Sequence, residues 1–341
     1  MNVQKRKIKL MKVKKYDIIK KRIEVGNLMS RETEKMNKAL QKFLDANTTE
    51  KTTEDEMDSL IQVFIKEYNK MNENFVLDAR TAKTSDDFFE LAKMTEDLSL
   101  SLKYAKKSLK LNPENLDAAF FSAEIEADSY VDMLERTEKI LEHGEKIMIE
   151  KGFMDKENIG SFWLIVETRP YMRVKFAYAN LLKECGMLST AISEYEDMMR
   201  LCKNDNLGVR HSLMYLYAIT ENEKKAVRIY KKFNSFETSL VLLLSILYYR
   251  KKDLKESLKY LKELEEGNKD TKKFFKFVYE GKIDNILEEI NDFGYRPATI
   301  EELAIFFAEN NNLFNSTMGY VEWAYNQLRK KVKKTFKIKK K

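Results

Sequence analysis

"ECGMLSTAISEYEDMMRL" (Glu184–Leu201), "ITENEKKAVRIYKKF" (Ile219–Phe233) and "RKKDLKESLKYLKEL" (Arg250–Leu264) share one spacing, and that spacing decides the fold. Each opens on a polar turn. A small residue follows (Ala191, Ala226 or Ser257), then a large one four positions on (Tyr195, Tyr230 or Leu261), then Met198, Phe233 or Leu264 three further. Steps of four and three residues put these side chains on one face of an α-helix. The set recurs after 35 and then 31 residues. The stretches upstream repeat in the same rhythm: Tyr178, Ala179 and Leu182 correspond to Leu213, Met214 and Tyr217, then to Leu244, Ser245 and Tyr248. Small residues allow two antiparallel helices to approach closely, and large ones fill the space toward the next pair. A single pair cannot bury its apolar faces alone, so such units are stabilised by stacking.

Composition agrees. Ten glycines and three prolines in 341 residues are too few for the frequent turns of sheets and barrels. With 43% hydrophobic and 11% aromatic residues, global disorder is excluded. The class is all-α. "LVLLLSILYY" (Leu240–Tyr249) is the longest apolar run, about half of the ~20 residues a membrane span requires, so it reads as a core helix. No membrane span is expected, and the protein reads as soluble and cytoplasmic. Two cysteines, Cys185 and Cys202, supply neither a disulfide framework nor a zinc site. Both read as structural thiols. The net charge of +7 is uneven: residues 1–22 hold ten Lys/Arg and one Asp, and 329–341 hold nine basic residues and no acid. The body between them is therefore acidic. Basic ends of this kind can hold nucleic acid or acidic proteins.

The repeat interval is close to the about 34 residues of a tetratricopeptide unit. "SLSLKYAKKSLKLNPENLDAAFFSAEIEA" (Ser99–Ala127) resembles that family most plainly, through Ala105, Ser108 and an "LNP" ending at Pro113. The resemblance covers 82–270. It implies a right-handed superhelical array of antiparallel helix pairs with amino- and carboxy-terminal capping helices, and a protein-binding role. The expected organisation is a basic segment over 1–28, a helical cap over 29–81, the array over 82–270, a second cap over 271–328 and a basic tail over 329–341. The first cap contains a capping box, Thr53 to Glu56; the second contains Pro297 and a Thr299–Glu302 box.

"ETRPYMR" (Glu167–Arg173) is the segment with most chemistry. Pro170 suits the first turn of a helix, where its missing N–H costs nothing. The surrounding charges suggest a local ion pair among Glu167, Arg169 and Arg173. "RPYMR" together with "NDNLGVR" (Asn204–Arg210) resembles bacterial tetratricopeptide proteins distantly related to the suppressor-of-tumorigenicity-seven family, over about 50 residues. "CKNDN" here departs from the usual "NPNDN". That group carries no assigned reaction, so the resemblance implies fold rather than function.

First helices line the concave side of such arrays. Arg173, Phe176, Asn180 and Lys183 are therefore expected on one groove wall and His211 and Tyr215 on the next, with Arg173, Asn180 and His211 as the main binding residues and Arg169 and Arg210 as orienting or structural partners. Leu242, Ile246 and Tyr249 would form an apolar end. The competing reading makes Phe176, Tyr215 and Tyr249 inter-helix packing. His143, beside Gly144, reads as a cation near a helix end. No Ser/His/Asp set, P-loop or HExxH is visible, and no cofactor is implied. The sequence thus supports a non-catalytic scaffold that binds a protein or peptide in its groove; the alternative is a nucleic-acid-associated protein that uses its basic termini.

Overall fold

The computed structural model describes residues 34–49, 52–72, 77–233, 237–290 and 295–330. Among these the fold is helical throughout, with no β-strand beyond isolated bridges of Gly160 and Ser161 to Cys202. The basic ends, 1–22 and 331–341, lie outside the described residues. The chain divides into two compact units, one ending at Asn206 and the other starting at Leu207.

In the first unit, α1 (34–47) and α2 (Glu54–Asn72) precede three helix pairs. These are α3 (Ser85–Met94) with α4 (Leu98–Leu111), α5 (Leu116–Glu126) with α6 (Tyr130–Glu150), and α7 (Arg169–Glu184) with α8 (Leu188–Leu201). α2 starts as its sequence requires: the Thr53 backbone N–H donates to Glu56 (2.9 Å), and the Glu56 N–H returns to the Thr53 hydroxyl (3.4 Å). Consecutive helices from α3 to α8 pack on one another. His143 is exposed in the middle of α6, not at a helix end. Gly144 beside it serves close approach. A Cβ there would lie 2.8 Å from Leu116 Cδ1 and 3.0 Å from Tyr171 Cδ2.

The second unit contains α9 (Val209–Ile219), α10 (Glu223–Phe233), α11 (Thr238–Arg250), α12 (Leu254–Gly267), α13 (Thr271–Tyr279) and α14 (Ile283–Glu289). It ends with α15 (Ile300–Glu309), α16 (Asn311–Asn315) and α17 (Met318–Arg329). Leu240 to Tyr248 are all buried, as the apolar run suggests. No helix among the described residues is long and apolar enough to cross a membrane. Thr299 caps α15 through the Glu301 N–H (3.3 Å), while Glu302 accepts from the Ala298 N–H (2.8 Å), a shifted form of the expected box.

One turn recurs through both units. Gly186, Glu221, Lys252 and Gly281 have φ of 79°, 57°, 62° and 69°. At each, the left-handed residue's N–H bonds the carbonyl three residues back, and the next N–H bonds the carbonyl five back: Met187 to Leu182 (2.9 Å), Asn222 to Tyr217 (2.8 Å), Asp253 to Tyr248 (2.9 Å) and Lys282 to Phe277 (2.8 Å). This bonding satisfies helix-end carbonyls and reverses the chain. Glycine adopts the left-handed region freely. Glu221 and Lys252 carry a Cβ there, at a cost of roughly 1–2 kcal/mol each. The fourth turn, at Gly281, lies in the segment that the sequence assigns to the carboxy-terminal cap.

Ala191, Ala226 and Ser257 are all buried, as are Ala179, Met214 and Ser245 opposite them. At α11–α12 the contact is polar: the Ser257 hydroxyl donates to the Ser245 carbonyl (2.7 Å) and the Ser245 hydroxyl to the Ser257 carbonyl (2.9 Å). Tyr320 then donates to Ser245 (2.8 Å), completing a buried, satisfied network. Enlarging a small position has a definite expected outcome. Ala226→Leu should destabilise the second unit by about 1–3 kcal/mol through overpacking, whereas Ala226→Ser, the residue type of Ser257, should change it by under about 1 kcal/mol. Hydrogen exchange of α9 and α10 amides separates these outcomes.

Candidate functional site

The first-unit candidates sit at the start of α7, and a loop fixes that start. The Gly160 and Phe162 N–H groups both donate to the Leu201 carbonyl (3.0 and 3.1 Å), and the Lys203 N–H donates to the Gly160 carbonyl (2.9 Å). The loop is thereby strapped to the end of α8. Phe162 is fully buried beside Tyr171, with ring centroids 6.4 Å apart. The Thr168 hydroxyl bonds the Phe162 carbonyl and ends a short 3₁₀ turn, from which α7 runs on with Pro170 in its first turn. Pro170 therefore starts a helix, as expected.

Arg173 does not stand on an open groove wall. It is buried, with its guanidinium gripped on two edges. Nη1 and Nη2 donate to the Glu34 carboxylate (2.6 and 3.1 Å), and Nε and Nη2 donate to Asp117 (2.9 and 2.6 Å). Paired forks of this kind are among the stronger charge-assisted contacts. Burial alone would lower the guanidinium's pKa, but Asp117 and Glu34 together hold it above its usual value. Arg169 donates through Nε to the Trp163 carbonyl (2.8 Å), lies over the Trp163 ring (5.4 Å) and has Nη1 3.7 Å from Glu34. The ion pairs are thus long-range rather than local, and Glu167 is exposed.

The rest of the α7 face is half-exposed. Phe176 sits edge-on to buried Tyr195, 6.0 Å between centroids, and the Asn180 carbonyl oxygen accepts from the Tyr195 hydroxyl (2.7 Å). Lys183 lies one turn further and is also half-buried. Lys175, on the buried side, pairs with Glu194 and with Asp197 (3.1 Å).

In the second unit, left-handed Gly208 (φ 67°) delivers the chain into α9. Arg210 Nε contacts both oxygens of Glu237 (3.1 and 3.0 Å), and its guanidinium lies 5.0 Å from the Phe233 ring centroid. His211 Nδ1 is 2.8 Å from the Ser239 hydroxyl, and Nε2 is 3.4 Å from Glu237. Sequence spacing gave no sign of this hydroxyl–imidazole–carboxylate sequence, because its members come from two helix starts. Arg210 already engages the carboxylate, and the histidine side chain is 42% exposed. The arrangement orients the imidazole. Tyr215 is buried, which is the packing alternative.

The expected apolar end of the groove is filled. Leu242 and Ile246 are fully buried, and Tyr249 packs against Tyr320 (5.4 Å) and Trp323 (5.3 Å). Helix α15 also packs on α11, with Thr238 donating to Glu302 (2.8 Å). The carboxy-terminal helices therefore occupy a surface that the sequence left open. On the same unit, Glu221, Glu223, Lys224, Arg228, Lys231 and Lys251 line an open depression of mixed charge.

Cys202 is buried and donates to Asn206 (3.4 Å); Cys185, at the end of α7, is only half-buried. Among the described residues, no group of three or more His, Cys, Asp or Glu side chains is placed to hold a metal ion. No protein-family model and no curated protein matches the chain.

Proposed function

We propose that this protein is a non-catalytic scaffold of the tetratricopeptide type that binds a protein or peptide partner through the first helices of its pairs. The recurrent turn and the register of small residues support the repeat reading. One observation carries the binding reading: Phe176, Asn180 and Lys183 form a half-exposed face on α7, while Tyr171, Met172, Val174, Tyr178, Ala179 and Leu182 of the same helix are buried. Tyr195 holds two of the three in place. An aromatic ring and an amide fixed before contact, with an ammonium one turn further along, form a partly preorganised recognition surface, which lowers the ordering cost of binding. In the second unit, Arg210 and His211 are also half-exposed and are oriented by Glu237 and Ser239.

The test is recovery of partners from the native host's lysate, followed by binding measurements with the purified partner. Phe176→Ser and Lys183→Glu should each weaken binding about tenfold, the effect of losing a contact worth ~1.4 kcal/mol. Lys224→Glu, in the α10 depression, should not. Equal binding by all variants would overturn the reading. Recovery of nucleic acid alone would shift the function to the basic termini, where deletion of 329–341 should abolish it.

A further inference from the structure

The two arginines of "RPYMR" face a carboxylate that belongs to the chain itself. Glu34 Oε1 lies 2.6 Å from Arg173 Nη1 and 3.7 Å from Arg169 Nη1, and its other oxygen accepts from Arg173 Nη2 (3.1 Å). The two carboxylates of the cluster differ in how they are held. Asp117 stands in the first turn of α5, within a helix that packs against α4, α6 and α7. Glu34 comes from α1, where it is the only buried residue among those described. Among its other contacts, Lys35 and Lys38 reach Asp87 (3.6 Å) and Asp86 (4.0 Å) from exposed or half-buried positions, and Phe43 packs on the buried Phe64 of α2 (5.6 Å). Helix α1 is thus tied to the body by a buried carboxylate, alongside two ion pairs nearer the surface and an aromatic contact.

We propose that Arg169, which lies over the Trp163 ring, and Arg173 form a carboxylate-binding site that Glu34 occupies as an internal ligand, and that an acidic segment of a partner protein competes with Glu34 for it. This rests on the reading of the protein as a peptide- or protein-binding scaffold and names the chemistry that its first unit would recognise. With Glu34 seated, the two guanidinium charges meet two carboxylates, and withdrawal of Glu34 leaves one positive charge in excess. The geometry left behind is a fork from Arg173 with Arg169 alongside, which suits a bidentate carboxylate. A lysine pair would not impose that geometry. A tethered occupant competes at an effective concentration on the order of mM, so the intact protein should bind an external carboxylate weakly, and only a partner with further contacts would displace α1.

Three labelled peptides test this by fluorescence anisotropy on the full chain. One is Glu-rich with blocked ends, the second has Gln for every Glu but a free carboxy terminus, and the third is the Gln peptide with both ends blocked. Glu34→Gln should bind the Glu-rich peptide at least tenfold more tightly than the wild type, and the blocked Gln peptide no better. Gain with the first peptide alone assigns the site to side-chain carboxylates; gain with the second alone assigns it to a chain terminus. Adding Arg169→Gln should remove the gain. A gain that survives Arg169→Gln, or no gain while circular dichroism shows Glu34→Gln folded, overturns the proposal. If the natural partner still depends on Phe176 and Lys183 in that case, the scaffold reading stands and only the carboxylate site fails. If Glu34→Gln unfolds, Glu34→Asp replaces it: the shorter side chain retracts the carboxylate, and it too must give a gain that Arg169→Gln removes.

Discussion

Arg173→Ala should destabilise the first unit by about 3–5 kcal/mol, a large part of a domain's stability. The substitution removes one side chain and strands two. Glu34 and Asp117 are 6% and 12% exposed, and both direct their oxygens at the Arg173 guanidinium. Without it they are carboxylates left in a poorly hydrated site, close enough to repel each other. The cost follows mainly from these uncompensated charges rather than from lost packing. Combining Arg173→Met with Glu34→Gln and Asp117→Asn should therefore recover much of the loss, because buried ionic sets can often be replaced by neutral residues without penalty. The chain has two units, so one melting temperature is an ambiguous readout. Amide exchange in α5 and α7, compared with α11, reports the first unit separately. A loss under about 1 kcal/mol for Arg173→Ala would mean that water reaches the carboxylates and that the cluster is not closed as described.

Residues close in sequence, or spaced by the helical period, made the class and the repeats legible. Ala191, Ala226 and Ser257 announce close helix approach wherever they stand, and all three are buried. The capping box at Thr53 and the proline start at Pro170 are equally local, and both occur. What the sequence concealed depends on long separations or on backbone geometry. The partners of Arg173 are 56 and 139 residues away, in a chain so rich in Asp and Glu that no spacing marks them. The turns at Glu221 and Lys252 are marked by polar residues, but their left-handed backbone is not legible, because the glycine that usually signals it is missing. Gly144 misled in the opposite direction: it looks like a helix stop but accommodates Leu116 and Tyr171 against an uninterrupted α6. The strap from Gly160 and Phe162 to Leu201 uses main-chain groups, which carry no residue signature. The open apolar groove end failed as an expectation for a simpler reason. Tyr320 and Trp323 were read as part of a cap, but the sequence did not say which surface the cap would cover.

Tyr195 connects the fold to the proposed binding face, and its substitutions separate the two. Its ring is fully buried between α7 and α8, at the large position of the repeat, with its edge toward Phe176 and its hydroxyl on Asn180. Tyr195→Ala should cost about 3–5 kcal/mol, the range for removing a buried aromatic from a packed interior, because neighbouring helices collapse only partly into the cavity. Tyr195→Phe keeps the volume and removes one hydroxyl. Its acceptor, Asn180, is half-exposed and can turn to water, so the expected stability cost is about 1 kcal/mol or less. The functional expectation runs differently. Without the hydroxyl, Asn180 is no longer held in one orientation, so Tyr195→Phe should weaken partner binding severalfold while amide exchange in α7 and α8 stays near the wild-type rate. Wild-type affinity in Tyr195→Phe, together with loss in Lys183→Glu, would show that Asn180 is bystander surface and that the recognition charge lies further along α7. A Tyr195→Ala protein as stable as the wild type would remove the aromatic from the repeat's packing altogether, and with it the reason for Phe176 to stand where it does.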